Sequence, residues 1–123
     1  MPFGTLITAV AMLQASAGNA EAVDVAFEEM VAQENTAAIE RIEASNALDA
    51  DDPAQLINLG IAYAREGRIV EARAALQAAA KAETRYRLET ASGDWVDSRW
   101  LAKKALAMLD QGQLTEGRRF ASR

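Results

Sequence analysis

Residues 56–67 read LINLGIAYAREG, a run of apolar residues at helical spacing that is followed by a glycine. Gly67 stands where such a helix is expected to end, because glycine tolerates the left-handed conformation that closes many helices. Asp52 and Pro53 precede the run, and these residue types suit the N-cap and the first helical position. The sequence therefore predicts a helix over about 53–66.

A second helix is predicted over about 69–82, where Ala72, Leu76 and Ala79 recur on one face. Small residues on that face let two helix axes approach closely, and glycine in the first helix has the same effect. The two segments therefore predict an antiparallel helix pair. Its expected interlocking contacts are Leu59, Gly60, Tyr63, Ala72 and Leu76.

The order and spacing of these residues resemble the signature of the tetratricopeptide repeat family, which includes small bacterial proteins. That signature has a large residue, then Leu-Gly, then Tyr, and one helix later Ala and a bulky apolar residue. Two departures are Leu56, where Trp is typical, and Thr84, where a closing Pro is expected. The resemblance implies an all-α fold of antiparallel helix pairs, arranged as a right-handed α-solenoid.

A weaker copy of the same pattern precedes the first. Ala38 and Ile42 precede Ala72 and Leu76 by one interval, which is the repeat length of the family, about 34 residues. An apolar stripe also predicts helix over about 23–31, although Glu29 occupies the position of the family's Tyr. We therefore expect about two repeats. The first would add one helix containing Val23, Ala26, Phe27, Met30 and Val31 and another containing Ala38, Ile39, Ile42 and Leu48.

The pattern changes after residue 83. Alternation around Tyr86 and Leu88, the turn residues Ser92-Gly93, and then Trp95 predict a short β-hairpin. Asp97 or Ser98 is expected to cap a final helix that ends at Gly112. Because a lone hairpin is marginally stable, this unit is expected to pack on the fourth helix as a cap. The predicted helical domain covers 20–112, and 113–123 is predicted to be a flexible basic tail.

The segment 1–19 is apolar and has two interpretations. It resembles the hydrophobic and cleavage regions of a secretory signal, with the small residues Ala15 and Ala17, but it lacks the basic start. The alternative is an amphipathic helix that caps the next helix pair. The first interpretation is favoured, so export to the periplasm is favoured over the cytoplasm. The segment is too short to span a membrane.

Composition excludes several classes of function. The chain has no His and no Cys, which removes the usual nucleophile triads and the common transition-metal ligand sets. A net charge of -5 disfavours nucleic acid as a partner. Charge is also asymmetric: residues 1–52 carry ten acids and one base. Solvated helix faces are the favoured explanation of this asymmetry. The alternatives are complementary ends of two protomers and an acidic partner that binds the C-terminal half. We expect no cofactor and no metal.

The resemblance implies a partner-binding concave surface lined by the first helix of each pair. We accordingly predict a protein-interaction adaptor that binds a peptide or helix of another protein. The alternative is a self-assembling structural subunit, for instance a homodimer, whose concave face is filled by its own copy. The positions carried over from the family are Ile57, Asn58, Ile61, Ala64 and Arg65.

Two further features leave alternatives open. Trp95 and Trp100 are expected to be core residues, and the competing interpretation is that they are exposed anchors for a partner. Asp94 and Asp97 are the carboxylates that an enzyme would use at the hairpin. We predict that the protein is not an enzyme, because the sequence indicates no paired or perturbed acid and the implied fold supplies no deep pocket.

Overall fold

The computed structural model describes residues 25–45 and 52–115, which form a mostly helical protein with one small antiparallel sheet. The helical and hairpin predictions are confirmed at this level. The elements in chain order are α1 Phe27–Val31, α2 Asn35–Ser45, α3 Pro53–Arg65, α4 Ile69–Lys81, β1 Arg87–Glu89, β2 Trp95–Asp97, α5 Ser98–Asp110 and a 3₁₀ helix, Gln113–Thr115.

Helix α3 begins and ends as predicted. The Asp52 carboxylate accepts the Gln55 amide at 3.0 Å, and Pro53 occupies the first helical position. Gly67 has a φ of 84°, and its amide donates to the Ala64 carbonyl at 2.9 Å. The next amide, that of Arg68, reaches back to Tyr63 O at 2.9 Å. This pair of hydrogen bonds is the Schellman motif, which satisfies the last carbonyls of α3 and turns the chain into α4.

The predicted contact between α3 and α4 is confirmed. A Cβ atom added at Gly60 would lie 2.6 Å from Leu76 Cγ and 3.2 Å from the Ala72 carbonyl oxygen. A side chain at this position therefore has no room, and glycine allows the two helix axes to approach. Leu59 and Tyr63 are also buried, as are Ala72 and Leu76.

The first helix pair differs from the prediction at its start. Helix α1 covers only Phe27–Val31, because Ala26 has a φ of 54° and therefore lies outside the right-handed helical region. Val25 and Ala26 are still buried in the core. These residues of the apolar stripe therefore pack in the core although they are not helical. Glu29, which stands at the position of the family's Tyr, forms an ion pair with Arg41 at 2.9 Å.

The turn between α1 and α2 repeats the turn between α3 and α4. Gln33 has a φ of 60°, its amide donates to Met30 O at 3.1 Å, and the Glu34 amide donates to Glu29 O at 2.9 Å. Each of these residues precedes its counterpart around Gly67 by the interval found in the sequence. Ala38 and Ile42, the counterparts of Ala72 and Leu76, are likewise fully buried. The sequence period is therefore present in the backbone as well.

The hairpin packs on the helices through its inner face. Leu88 pairs with Val96 across the two strands and is fully buried. Ser98 joins the unit to α5, since its amide donates to Tyr86 O at 2.8 Å and its hydroxyl accepts the Tyr86 amide at 3.0 Å. Helix α5 is capped by Asp97, whose carboxylate accepts the Trp100 amide at 3.0 Å.

Helix α5 lies against α4, as predicted for a capping unit. The Arg99 guanidinium donates to the Ala82 carbonyl at 2.6 and 2.9 Å and to the Glu83 carbonyl at 3.0 Å. It thereby satisfies carbonyl groups just beyond the C-terminus of α4. At the other end of the pair, Arg73 and Asp110 form an ion pair at 2.8 Å. The two helices therefore run antiparallel.

The start of the predicted flexible tail is ordered. Gln113–Thr115 form a 3₁₀ helix, and the Leu114 side chain is buried. This apolar side chain follows the Gly112 turn and packs against the core, so the described structure continues past 112. The predictions for residues 1–19 and 116–123, and the position of Leu48 in the second helix, lie outside the described residues.

Candidate protein-binding surface

The five residues carried over from the family resemblance do not form an exposed surface. They all lie on α3, and all are buried, with exposed fractions between 0% and 6%. The expectation that they line an accessible groove is therefore wrong for the chain as folded. These residues are Ile57, Asn58, Ile61, Ala64 and Arg65.

The chain's own first segment covers that side of α3. The Asn58 amide donates to the Val25 carbonyl at 2.9 Å. The Arg65 guanidinium donates to the Met30 carbonyl at 3.1 Å and to Asn35 Oδ1 at 3.3 Å. The polar residues that suggested peptide recognition therefore hold α3 to the first helix pair.

Arg65 is the most buried charge in this contact. Burial lowers the pKa of its guanidinium to about 10, so the group remains protonated at neutral pH. A buried cation is costly unless hydrogen bonds replace its hydration. The hydrogen bonds of Arg65 Nη1 to α1 and to the start of α2 contribute to that replacement, which gives Arg65 a structural role in the core.

One sequence signal indicated that α3 is central. Among its 13 residues, Pro53–Arg65, Arg65 is the only charged one. A helix that lacks a polar face is typically buried on all sides. The periodicity of the interlocking residues identified the contact with α4, and this lack of charge would have identified the opposite face as buried too.

The largest exposed side chains lie on the hairpin and the start of α5. Trp95 and Trp100 are 49% and 52% exposed, and Tyr86 is also exposed. The prediction that the two tryptophans are core residues is therefore wrong. The inward position of the hairpin belongs to Leu88, whereas Trp95 pairs with Glu89 on the outward face.

Trp100 is exposed because of its position on helix α5. The inward face of α5 is formed by Leu101, Ala105 and Met108, and Trp100 lies outside that face. The Lys104 ammonium stands 5.4 Å from the centre of the Trp100 ring, within range of a cation–π contact. Both tryptophans therefore present much of their apolar area to solvent next to charged groups. We call Trp95 and Trp100 the aromatic surface.

A second set of exposed apolar residues lies at the turns between paired helices. Val70 is 82% exposed, and Val31 and Ile69 are exposed as well. The Thr36 hydroxyl donates to the Glu66 carboxylate, which links the start of α2 to the end of α3. The two turns therefore lie side by side at the same end of the helical layer.

The carboxylates considered for catalysis have structural contacts. Asp97 caps α5 and pairs with Arg85 at 2.8 Å. The Arg85 guanidinium is the main cause that holds the pKa of Asp97 below its usual value. A general acid needs a raised pKa, so this environment does not suit Asp97 to that role. Asp94 accepts a hydrogen bond from the Ser92 hydroxyl at 3.3 Å on the exposed turn.

Metal and membrane binding have specific structural requirements. Within residues 25–45 and 52–115, no three acidic side chains come together in a way that would hold a metal ion. The helices of the same ranges are too short and too polar to cross a membrane.

An open groove of about 450 Å³ lies beside α3 and α4, and it is lined by Leu56, Ala78, Ala82, Glu83 and Thr84.

Comparisons with known proteins identify no relative. No family model, no curated protein and no solved structure matches the chain.

Proposed function

We propose that the protein is a protein–protein interaction module of the tetratricopeptide type, and that its partner contacts the aromatic surface. The observation that carries the proposal is the pair of half-exposed tryptophans on a unit that Arg99 links to the end of α4. The contact residues differ from those first carried over from the family, because those are buried in α3.

The support for a repeat architecture is geometric. Gln33 and Gly67 close their turns with matching backbone hydrogen bonds. The interval between them is the length of the tetratricopeptide repeat, about 34 residues. Helices α1 and α3 end at the same interval, at Val31 and Arg65, and α2 and α4 also begin one such interval apart. A duplicated helix pair accounts for all these coincidences.

Helix α5 supports a third, incomplete unit. Like α3, it has 13 residues, an Asp N-cap whose carboxylate accepts the amide three residues later, and a glycine with positive φ after its end. The equivalent residues are Asp52 and Asp97, and Gly67 and Gly112. The interval between them is longer than one repeat, so the hairpin corresponds to an insertion between repeats. Terminal units of repeat proteins are commonly atypical because they cap the array.

The aromatic surface has the chemistry of a protein-binding site. Tryptophan and tyrosine are the residue types most enriched among interface positions that dominate binding energy. Each offers a large apolar area for contact, and its side chain loses little conformational entropy when it is buried. Trp95 and Trp100 have the further advantage of a rigid base, because the hairpin and α5 are held to α4 by Arg99.

Site-specific photo-crosslinking tests the proposal. A photoreactive amino acid is placed at Trp95 or at Trp100 in protein made by its native host. The matched control has the same amino acid at Gln77, which is exposed on α4 and is not part of the aromatic surface. We expect covalent adducts with protein at 95 and 100 and none at 77. Adducts no stronger at 95 and 100 than at 77 would refute the proposed surface.

A further inference from the structure

The helical layer has two different ends. Helices α4 and α5 run antiparallel, so the turns around Gln33 and Gly67 lie at the end where Arg73 meets Asp110. The hairpin lies at the opposite end, where Arg99 contacts the carbonyls beyond α4. We call these the turn end and the hairpin end.

Each end exposes apolar side chains. The turn end presents the aliphatic residues Val31, Ile69 and Val70, and Val70 is almost completely accessible. The hairpin end presents the aromatic surface. Among the described residues, every large exposed hydrophobic side chain lies at one end or the other. The middle of the helical layer therefore has no comparable group.

The two ends also differ in charge. The turn-end segments, residues 28–34 and 66–73, contain five acids and two bases. The segment around the hairpin, residues 81–104, contains four acids and six bases. Opposite charge bias on two surfaces of one chain favours the approach of one copy's turn end to another copy's hairpin end, and it disfavours contacts between like ends.

We propose that the occupant of the aromatic surface is the turn end of a second copy of this chain. Val70 and its aliphatic neighbours would pack against Trp95 and Trp100, and the acidic turn-end segments would lie near Lys103 and Lys104. The contact joins two different surfaces, so it is heterologous and each copy keeps one end open for the next. This inference rests on the proposed function, because it assigns the partner of the same aromatic surface.

Sedimentation velocity of the full chain tests the inference. We expect the weight-average mass of the wild type to rise with concentration across the micromolar range and to fall again in high salt, which screens the charges. Trp100→Ala disables the hairpin end and Val70→Lys disables the turn end. Each substitution is at a highly exposed position, and each is expected to weaken association about tenfold or more.

Mixing the two variants makes the test specific. The intact turn end of Trp100→Ala fits the intact hairpin end of Val70→Lys, so the mixture is expected to form a dimer and nothing larger, whereas each variant alone stays monomeric. Gln77→Ala is the control and is expected to associate like the wild type. Circular dichroism spectra identical to that of the wild type verify that the variants fold.

Three results would overturn the inference: a wild type that is monomeric at every concentration, single variants that associate like the wild type, and a mixture that remains monomeric. Failure here is distinguishable from failure of the proposed function. If the protein is monomeric but still forms crosslinks to another protein from positions 95 and 100, the second copy is refuted as the partner and the proposed binding surface is supported.

Discussion

Gln33 and Gly67 hold the same left-handed backbone conformation at equivalent points of two helix pairs, although only one of them is a glycine. Their φ angles are 60° and 84°, and both amides donate to the carbonyl three residues earlier. The geometry of the turn is therefore imposed by the packing of the helices on either side of it. A residue with a Cβ atom adopts it at a cost, since the left-handed region is unfavourable by about 1 kcal/mol or more for residues other than glycine.

This relationship predicts opposite effects of exchanging the two residues. Gln33→Gly removes the cost of a Cβ atom at positive φ and is expected to stabilise the protein by about 0.5–1 kcal/mol. Gly67→Gln introduces the same cost and is expected to destabilise it by about 1–2 kcal/mol. Urea unfolding followed by circular dichroism measures both. Two effects of the same sign would contradict the equivalence of the turns.

The close contact between Gly60 and Leu76 predicts a strongly coupled pair. Gly60→Ala would place a methyl group 2.6 Å from Leu76 Cγ, so overpacking is expected to outweigh the gain in helix propensity and to cost about 1–2 kcal/mol. In a Leu76→Ala background the overlap with the Leu76 side chain is gone, and only the 3.2 Å approach to the Ala72 carbonyl oxygen remains. The same substitution is then expected to be neutral or to stabilise by up to about 1 kcal/mol.

A double-mutant cycle from urea unfolding measures this coupling. Additive effects would mean that Gly60 is not limited by Leu76. Ala62→Gly is a control in the opposite direction, because it lies on the same helix, lowers helix propensity and removes a fully buried methyl group instead of adding one. It is expected to destabilise α3, in both backgrounds equally.

Tyr63 predicts a loss of stability at alkaline pH. Its phenol donates to Glu43 at 2.5 Å, and the Arg68 guanidinium lies 4.5 Å from the ring centre. Burial, reinforced by the hydrogen bond and the negative charge of Glu43, raises the pKa of Tyr63 to about 12. An unfolded tyrosine ionises near pH 10. The stabilising contribution is therefore complete below pH 10 and is lost as pH rises from 10 to 12.

The measurement is urea unfolding from neutral pH to pH 12. Tyr63→Phe is expected to cost about 1 kcal/mol at neutral pH, because the hydrogen bond to Glu43 is lost, and to reduce the alkaline decline. Tyr86→Phe is the control that removes an exposed tyrosine without touching Glu43. An alkaline decline of unchanged size in Tyr63→Phe would show that its ionisation is not the cause.

Arg99 is predicted to attach the C-terminal unit to α4. Arg99→Met keeps much of the side-chain volume but removes the donors to the Ala82 and Glu83 carbonyls. We expect a loss of about 1–2 kcal/mol, since charged donors contribute more than neutral ones and the site is partly exposed. If Arg99→Met accelerates hydrogen exchange relative to the wild type more in residues 86–97 than in α3, the effect lies at the hairpin.

Lys103→Met is the matched control for this experiment. Lys103 is exposed on the same helix, so its replacement removes a cation and adds a similar side chain. We expect a change within about 0.5 kcal/mol. Equal losses in the two variants would indicate that the positive charge of α5, and not the contact with the carbonyls, is what Arg99 contributes.

The sequence alone was sufficient for the local structure of the second helix pair. Asp52 and Pro53 start α3, Gly67 ends it, and Gly60 faces Leu76, because each of these features depends on residues near one another or at fixed helical intervals. The hairpin and a cap of α5 at Asp97 or Ser98 were predicted for the same reason, and the structure has the cap at Asp97. Local hydrogen bonding and side-chain periodicity carry this information.

Which faces are covered was decided by tertiary structure. Asn58 and Arg65 were predicted to be surface residues of a groove. They are core residues, because the segment from Val25 to Asn35 folds over α3 and supplies oxygen acceptors. Trp95 and Trp100 read as core residues, and they are exposed because Leu88 and Leu101 take the inward positions beside them. Burial depends on contacts between residues distant in sequence, and a periodic pattern specifies only which residues share a face.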